Sequence, residues 1–414
     1  MKLQNGILIK FLIIICLTFN SKNLIADEFT LAKVVIREPN GLARSLEYIE
    51  FQFQLELADN NSNELNIIAE DIQNGEVISC QVFSKKVFKK ENIISFHIVF
   101  PVSIGANERK IFLLKRVNMK TSVKTDLNYV GEGLDLVVEN NYYSANLTKS
   151  NQNEAKSHDS GQLRELQIKM EFNQLLFRTE NRMHWAPNFQ KLGLEYYNTI
   201  AGWDKPKVYE FNEGPYLIYT HRKDKAPDHP EILLTANYSF YAGLPYFKFY
   251  SSLDIVEDIT LFLLRNDEMT MDSLFTHIAY QNNSGQIIDF SFSERYAELD
   301  KNPIENNSPW LCFYNEDQGF AFASIRIKYD NINQSGLPSP TYFPHTKISD
   351  GAEGGKYWNR ILIHEYPVVV PKGSSYLEEN AYLVFKISKE DKFKEIVEWM
   401  KIIRNPVEVV VMQE

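Results

Sequence analysis

Apolar and polar residues alternate along much of this chain. In Ile49-Glu50-Phe51-Gln52-Phe53-Gln54-Leu55-Glu56-Leu57 every odd position is apolar and every even one polar. Successive side chains on a strand point to opposite faces, so this run predicts a strand with one wet face. Leu166-Gln167-Ile168-Lys169-Met170-Glu171-Phe172 repeats the pattern, and Phe96-His97-Ile98-Val99-Phe100 follows it more loosely. Further strands are predicted at 110–116, 134–138, 215–222, 232–240, 245–254, 275–280, 319–327, 358–366 and 381–388. Polar breaks such as Asn60-Asn61-Ser62-Asn63 and Asn282-Asn283-Ser284-Gly285 separate several of them. One helix stands out over 390–404, where Phe393, Ile396, Val397, Met400 and Ile403 keep helical spacing. Asn405-Pro406 should end it, because proline restricts the residue before it. Val407 and Val409-Val410-Val411 then predict a closing strand. The chain therefore reads as mostly β: a small barrel-like domain over 27–120, then a large antiparallel sandwich over 121–414 with one C-terminal helix. The polar stretch 150–161 reads as a surface loop within the second.

The first residues change the picture of where the protein works. Lys2 and Lys10 precede the apolar run Phe11–Phe19, and Leu24-Ile25-Ala26-Asp27 follows a polar stretch. A basic start, a short apolar core and a small residue before a charge predict a signal peptide over 1–26. The run is shorter than the about 20 residues needed to span a bilayer. A periplasmic or extracellular location is expected, with no membrane span after cleavage. The formal charge is 44 basic minus 54 acidic residues, or −10. This argues against a nucleic-acid partner, and an anionic ligand would need a local cationic cluster. Cys80 and Cys312 lie far apart in sequence and read as two buried thiols or as a disulfide permitted by export.

Aromatic residues supply the candidate chemistry. The 27 Phe, 22 Tyr and 5 Trp suit strands, and flat faces with a polar handle also stack on sugars. If 358–366 is one strand, Trp358, Arg360, His364 and Tyr366 share a face opposite Ile361 and Ile363. That face carries an aromatic platform, a guanidinium and an imidazole; the alternative is an ordinary solvated sheet face. Tyr246, Lys248 and Tyr250 alternate with Phe247 and Phe249 in the same way. Tyr219 and His221 share a face, and Arg222-Lys223-Asp224-Lys225 reads as a turn. Arg265-Asn266-Asp267-Glu268 reads as a polar connection between an apolar strand and Phe275-Thr276-His277. Arg265 or Asn266 could neutralise a carboxylate, and His277 could act as a base or as a buried core histidine. Asp267 and Glu268 leave a structural or catalytic calcium open, since that ion favours oxygen ligands; no other cofactor is indicated. Gly351-Ala352-Glu353-Gly354-Gly355-Lys356 reads as a lid or a hairpin connection. Zinc-protease, nucleotide-loop, serine-elbow and paired-cysteine signatures do not occur.

Two stretches carry a resemblance. Val35-Ile36-Arg37-Glu38-Pro39-Asn40-Gly41-Leu42-Ala43-Arg44-Ser45, with the strands to about 116, resembles the small N-terminal barrel of bacterial exo-acting rhamnogalacturonan lyases. Gly214-Pro215 through Tyr246-Phe247 and Arg265-Asn266-Asp267-Glu268-Met269 to Phe275-Thr276-His277 resembles their large, galactose-mutarotase-like sandwich. No series of paired helical patterns occurs, so the α/α toroid of those lyases is not expected here. The resemblance implies a supersandwich and a carbohydrate-related role. A lyase needs a base, a neutraliser for a uronate carboxylate and an acid for the leaving oxygen. His364, His277, Tyr219 and His221 are the candidate acid–base residues. Trp358, Arg360, Tyr366, Tyr246, Lys248, Tyr250, Arg265 and Asn266 are the candidate substrate contacts. The expected partner is an acidic polysaccharide or oligosaccharide, cleaved by β-elimination. A non-catalytic glycan-binding or assembly module and a glycoside hydrolase are the alternatives.

Overall fold

The computed structural model describes residues 29–56, 65–118, 122–149, 159–177, 182–271, 273–351 and 354–413. The export segment, the Asn60–Asn63 break and most of the 150–161 loop lie outside them. Among the described residues the strands gather into four antiparallel sheets. The first has seven strands, in spatial order Arg44–Glu56, Ile93–Ile104, Val77–Phe88, Ile67–Asp71, Arg109–Arg116, Phe29–Arg37 and Glu408–Gln413. Ile49, Phe53, Phe96, Ile98 and Phe100 fill its interior, as the alternation requires. The Gln413 side chain donates to the Gln54 carbonyl at 3.1 Å, joining the two edge strands into a nearly closed barrel-like sheet. The predicted closing strand therefore exists, and it completes the sheet that begins the chain by pairing with Phe29–Arg37.

The remaining sheets share one large core. A nine-stranded sheet runs Tyr209–Asn212, Leu217–Ala226, His229–Tyr241, Tyr246–Ile255, Ser375–Lys386, Phe320–Asp330, Trp310–Asn315, His277–Gln281 and Ile287–Ser291. Facing it is a seven-stranded sheet whose path is Asn198–Thr199, Asn188–Lys191, Ile259–Met271, Lys356–Ile363, His345–Asp350 and Ile304–Glu305. Val368–Val370 adds a branch on Ile259–Met271. A five-stranded sheet built from 128–176 contributes Leu136, Val138, Tyr143 and Leu166 to the same core. The predicted helix is Lys394–Arg404, which buries Ile396 and Ile403 in a second core on the far side of the nine-stranded sheet. Arg44 of the first sheet donates to the Ile402 carbonyl at 3.1 Å and to that of Asn405, capping this helix. A cation suits the negative end of a helix dipole.

Several expectations need correction. The 166–172 strand stops at Ile168, because the chain reverses through Met170 and Asn173, both at positive φ, to pair again at Gln174–Leu176. Arg222–Lys225 is no turn: the strand runs on to Ala226. Arg222 is buried there because Asp224 and the carbonyls of Ser160 and Asp204 accept its hydrogens. Residues 265–268 do not connect two strands but lie within one, Ile259–Met271, as an irregularity of register. The strand at 358–366 ends at Ile363. A second helix, Phe292–Lys301, is too polar to show in the apolar periodicity. The loop at 351–355 joins two paired strands, so it is a hairpin connection, with Ala352 and Glu353 outside the described residues. Cys80 and Cys312 are free thiols.

Between the two large sheets sits a buried ionic knot. Asp267, fully buried at φ +46°, receives Ser324 Oγ at 2.9 Å, Trp358 Nε1 at 3.1 Å and Tyr382 Oη at 3.3 Å on one oxygen. Arg326 Nε at 3.1 Å and Tyr329 Oη at 2.9 Å reach the other. Five donors leave this carboxylate no capacity for a calcium ion, which corrects that expectation for Asp267. Beside it, Glu378 accepts the Asp267 backbone N–H, Ser251 Oγ and Asn380 Nδ2, each at 2.8 Å. Burial, and then the charge of Asp267, push its carboxyl up to about 7.

Removing one member of a buried ion pair strands the other, at a cost of about 3–5 kcal/mol. Asp267→Ala is expected to lose that much in urea unfolding. Tyr329→Phe, which removes one donor of five, should lose about 0.5–1.5 kcal/mol. Glu378 has its folded-state carboxyl raised, so its contribution is full below pH 4.5 and is lost as pH rises through about 7. Melting temperature measured against pH should therefore shift in favour of Glu378→Gln over wild type between pH 5 and pH 8.

Candidate functional site

The structure sorts the candidate residues into five places. Trp358 and Arg360 face the interior, with Asn266. Trp358 is wholly buried on Asp267. Arg360 lies 3.8 Å over the Tyr329 ring and donates to the Asn306 carbonyl and to Asn266 Oδ1. Burial pulls its guanidinium down to about 10. These residues form no solvent face, because a second sheet covers them. His277 belongs to a surface cluster of its own: its ring stacks on Tyr314 at 4.9 Å and its Nε2 lies 3.4 Å from Glu316, which Lys392 also pairs. Tyr246 is buried against Trp399 of the C-terminal helix at 5.3 Å. Tyr219, His221, Lys248 and Tyr250 do converge, on the face of the nine-stranded sheet turned toward the first sheet. Phe247 and Phe249, alternating with them, are wholly buried as expected.

Arg265, His364 and Tyr366 meet at a fifth place, the end of the seven-stranded sheet, on its side away from the core. Register builds it. Asn188 pairs with Arg265, Arg265 with Ile361, and Ile361 with His345. Two residues further on, on the same side, Asn359 pairs with Lys347. The register irregularity after Asn266 matters here: Asp267 turns into the core and Glu268 outward. Glu268 then sits 3.9 Å from Arg265 and accepts from Asn188. Arg265 in turn lies 5.2 Å over the Tyr197 ring.

Two histidines complete the corner. Tyr342 forms a parallel bridge with Ile363, and the His364 N–H donates to the Tyr342 carbonyl at 3.2 Å. This sets the His345 and His364 rings 5.1 Å apart and nearly perpendicular. His345 Nδ1 lies 2.7 Å from the Phe343 carbonyl. A carbonyl only accepts, so Nδ1 carries the proton and Nε2 keeps its lone pair. Burial holds both imidazoles below their ordinary pKa, and the nearby Lys347 and Arg265 charges add to the effect. Both are therefore neutral at pH 7.

Exposed aromatics rim the corner. Tyr342 stacks on Tyr366 at 4.2 Å, and Phe343 packs 4.8 Å from His345. Tyr366 is 51% and Phe343 58% exposed. Phe343 and Glu365 hold positive φ, +51° and +46°. Such backbone costs about 1–3 kcal/mol per residue and concentrates at functional sites. Polar atoms without partners concentrate here as well: Arg265 Nε, Asn188 Oδ1, both amide atoms of Asn359 and His364 Nδ1. Buried polar groups are normally paired, so this density is unusual. Among the described residues no group of three His, Cys, Asp or Glu is placed to hold a metal ion. No described helix is long and apolar enough to cross a membrane.

Sequence reasoning missed His345, Lys347 and Phe343. They lie after Pro338 and Pro340 and around Pro344, in a segment with no clear period. The run Tyr342-Phe343-Pro344-His345 was the available signal, two aromatics and an imidazole around a proline.

No family model and no curated protein sequence matches this chain. Solved structures do share its fold. An α-mannosidase from Enterococcus faecalis V583 matches with a TM-score of 0.53 at 8% identity, over 92% of this chain and 46% of that one. A glycosyl hydrolase family 38 protein from Enterococcus faecalis matches at 0.50 and 8%, over 92% and 47%. A galactose mutarotase-like protein from Lactobacillus casei ATCC 334 aligns over 62% of this chain and 100% of that one, at 6% identity and a TM-score of 0.37. The chain spans under half the length of the first two. At such identities the likeness is one of fold: a mostly β protein built around a large antiparallel sandwich.

The geometry at the corner has a spectroscopic consequence. Imidazole 15N shifts should show His345 as the Nδ1–H tautomer, with both rings titrating below the ordinary 6.5. Arg265→Gln should move both midpoints upward; unmoved midpoints would place Arg265 too far away to act on them.

Proposed function

We propose that this is an exported carbohydrate-active protein that cleaves a uronate-containing glycan by β-elimination at the His345–His364–Arg265 corner. One observation carries the reading: two neutral imidazoles lie beside a guanidinium and an ammonium under an exposed aromatic rim. Elimination needs this combination. Arg265, with Lys347, neutralises the sugar carboxylate and makes the adjacent proton acidic. His345 Nε2 takes that proton. The electron pair forms a carbon–carbon double bond, the bond to the glycosidic oxygen breaks, and the imidazolium formed on His345 gives its proton to the leaving oxygen, so that both histidines end neutral. Tyr366 and Phe343 offer faces for the ring. Glu268 orients Arg265, and the bulge at Asp267 orients Glu268. The predicted signal peptide supports export, and the likeness to an α-mannosidase supports a carbohydrate substrate.

A hydrolase is the second reading, favoured by the same mannosidase-type neighbours. It would draw on two carboxylates, with Glu268 and Glu365 the pair at this corner. The products separate the two readings. Elimination yields an unsaturated, ultraviolet-absorbing end; hydrolysis yields a reducing end without it.

The expected outcome is ultraviolet-absorbing product from at least one acidic glycan in a panel of pectic and other uronate polymers. His345→Ala should lower kcat by about 100-fold or more while the melting temperature holds. Arg265→Lys should also lose activity, since a point charge does not replace a planar fork. Activity should fall as pH drops below 6.5 and the histidines charge. Absence of such product across the panel, or full activity in both variants, would overturn the lyase reading.

A further inference from the structure

The face that gathers Tyr219, His221, Lys248 and Tyr250 is a second site of different charge. Two cross-strand rows build it. Tyr219 pairs with Ser239, and Ser239 with Lys248. His221 pairs with Asn237, Asn237 with Tyr250, and Tyr250 with Glu379. The strand Arg44–Glu56 of the first sheet crosses above and supplies Tyr48 and Glu50. Between them lies a cavity of about 280 Å3. That is near the lower end for small-molecule sites, with room for a single sugar ring rather than a length of polymer.

The lining is preorganised. Tyr241 donates to Glu50 at 2.6 Å, and Lys248 sits 5.5 Å over the Tyr241 ring. His221 Nδ1 is held by Asn237 at 2.6 Å. Tyr219 and Tyr250 are half-buried, and burial raises both phenols, so they stay neutral donors at any ordinary pH. Within the cavity Glu50 and Glu379 outnumber the Lys248 ammonium; the third carboxylate, Glu47, is paired by Arg44 at 2.6 Å. A uronate would meet net negative charge here. Neutral vicinal hydroxyls would meet carboxylate and amide acceptors, hydroxyl and ammonium donors, and tyrosine faces.

We propose that this interdomain groove is a separate binding site for a neutral sugar residue, distinct in place and in charge preference from the histidine–arginine corner. It does not depend on the corner being catalytic. In a glycan of mixed composition, a neutral sugar held here and a uronate held at the corner would be read by different parts of one molecule.

The test uses the full chain and saturation-transfer NMR, with methyl α-mannoside, methyl α-galactoside and galacturonate as probes. At least one neutral glycoside is expected to bind, and Glu379→Gln and Tyr250→Ala should each weaken it by about tenfold or more. Arg265→Gln should leave that binding unchanged. The Glu379→Gln variant, nearly isosteric, guards against loss of fold, and its melting temperature should match wild type. No neutral-sugar signal, or a signal indifferent to both groove substitutions, overturns the proposal. Galacturonate binding that depends on Glu379 or Tyr250 overturns the charge argument. Neither failure touches the elimination assay, which reads the other site.

Discussion

The structure depends on one buried carboxylate. Asp267 lies on the seven-stranded sheet, yet four of its five donors, from Ser324, Arg326, Tyr329 and Tyr382, come from the nine-stranded sheet. Trp358 supplies the fifth from the neighbouring strand. A charge without partners in such a core would be very costly, so the register irregularity that turns Asp267 inward is fixed by electrostatics as well as by packing. The same turn of the chain decides what the outer side presents. In a regular strand Glu268 would share the inward side of Asn266; here it meets Arg265 and Asn188. Interior knot and outer corner are two sides of one irregular strand.

That coupling gives the corner its rigidity. Arg265 is held between Glu268 and the Tyr197 ring, His345 by the Phe343 carbonyl, and His364 by the backbone of Tyr342. Preorganised donors beside neutral bases suit chemistry in which charge develops on a carboxylate. The groove on the far sheet follows another rule. There the first sheet, closed by the chain's last described strand and capped onto the C-terminal helix by Arg44, lays Tyr48 and Glu50 over rows of tyrosine, lysine and glutamate.

Much of the fold was legible in the sequence. Alternation in Ile49–Glu56 separates wet positions from buried ones, in Tyr246–Tyr250 it marks Phe247 and Phe249 as core although Tyr246 is buried too, and helical spacing marks Ile396 and Ile403 as buried. Period-two reasoning failed where both sides of a strand are covered. Trp358 and Arg360 alternate with isoleucines as a solvated face would, but a buried ionic network occupies that side. It failed again at the Asp267 irregularity, since one extra residue exchanges the two sides of a strand and leaves no mark in composition. The corner was half legible: Arg265, His364 and Tyr366 were singled out, while Phe343 and His345 adjoin Pro344, Phe343 beside a lone bridge from Tyr342 to Ile363 and His345 at the first residue of a paired strand. Convergence of residues 80 apart, such as Arg265 and His345, is a property of register alone.

The central claim is that the His345–His364–Arg265 corner receives an acidic sugar. The most direct measurement is a crystal structure of the inactive His345→Ala protein with a uronate oligosaccharide. The expected result is a sugar carboxylate within hydrogen-bonding distance of Arg265 and a ring lying against Tyr366 or Phe343. An oligosaccharide bound elsewhere while this corner stays empty would contradict it.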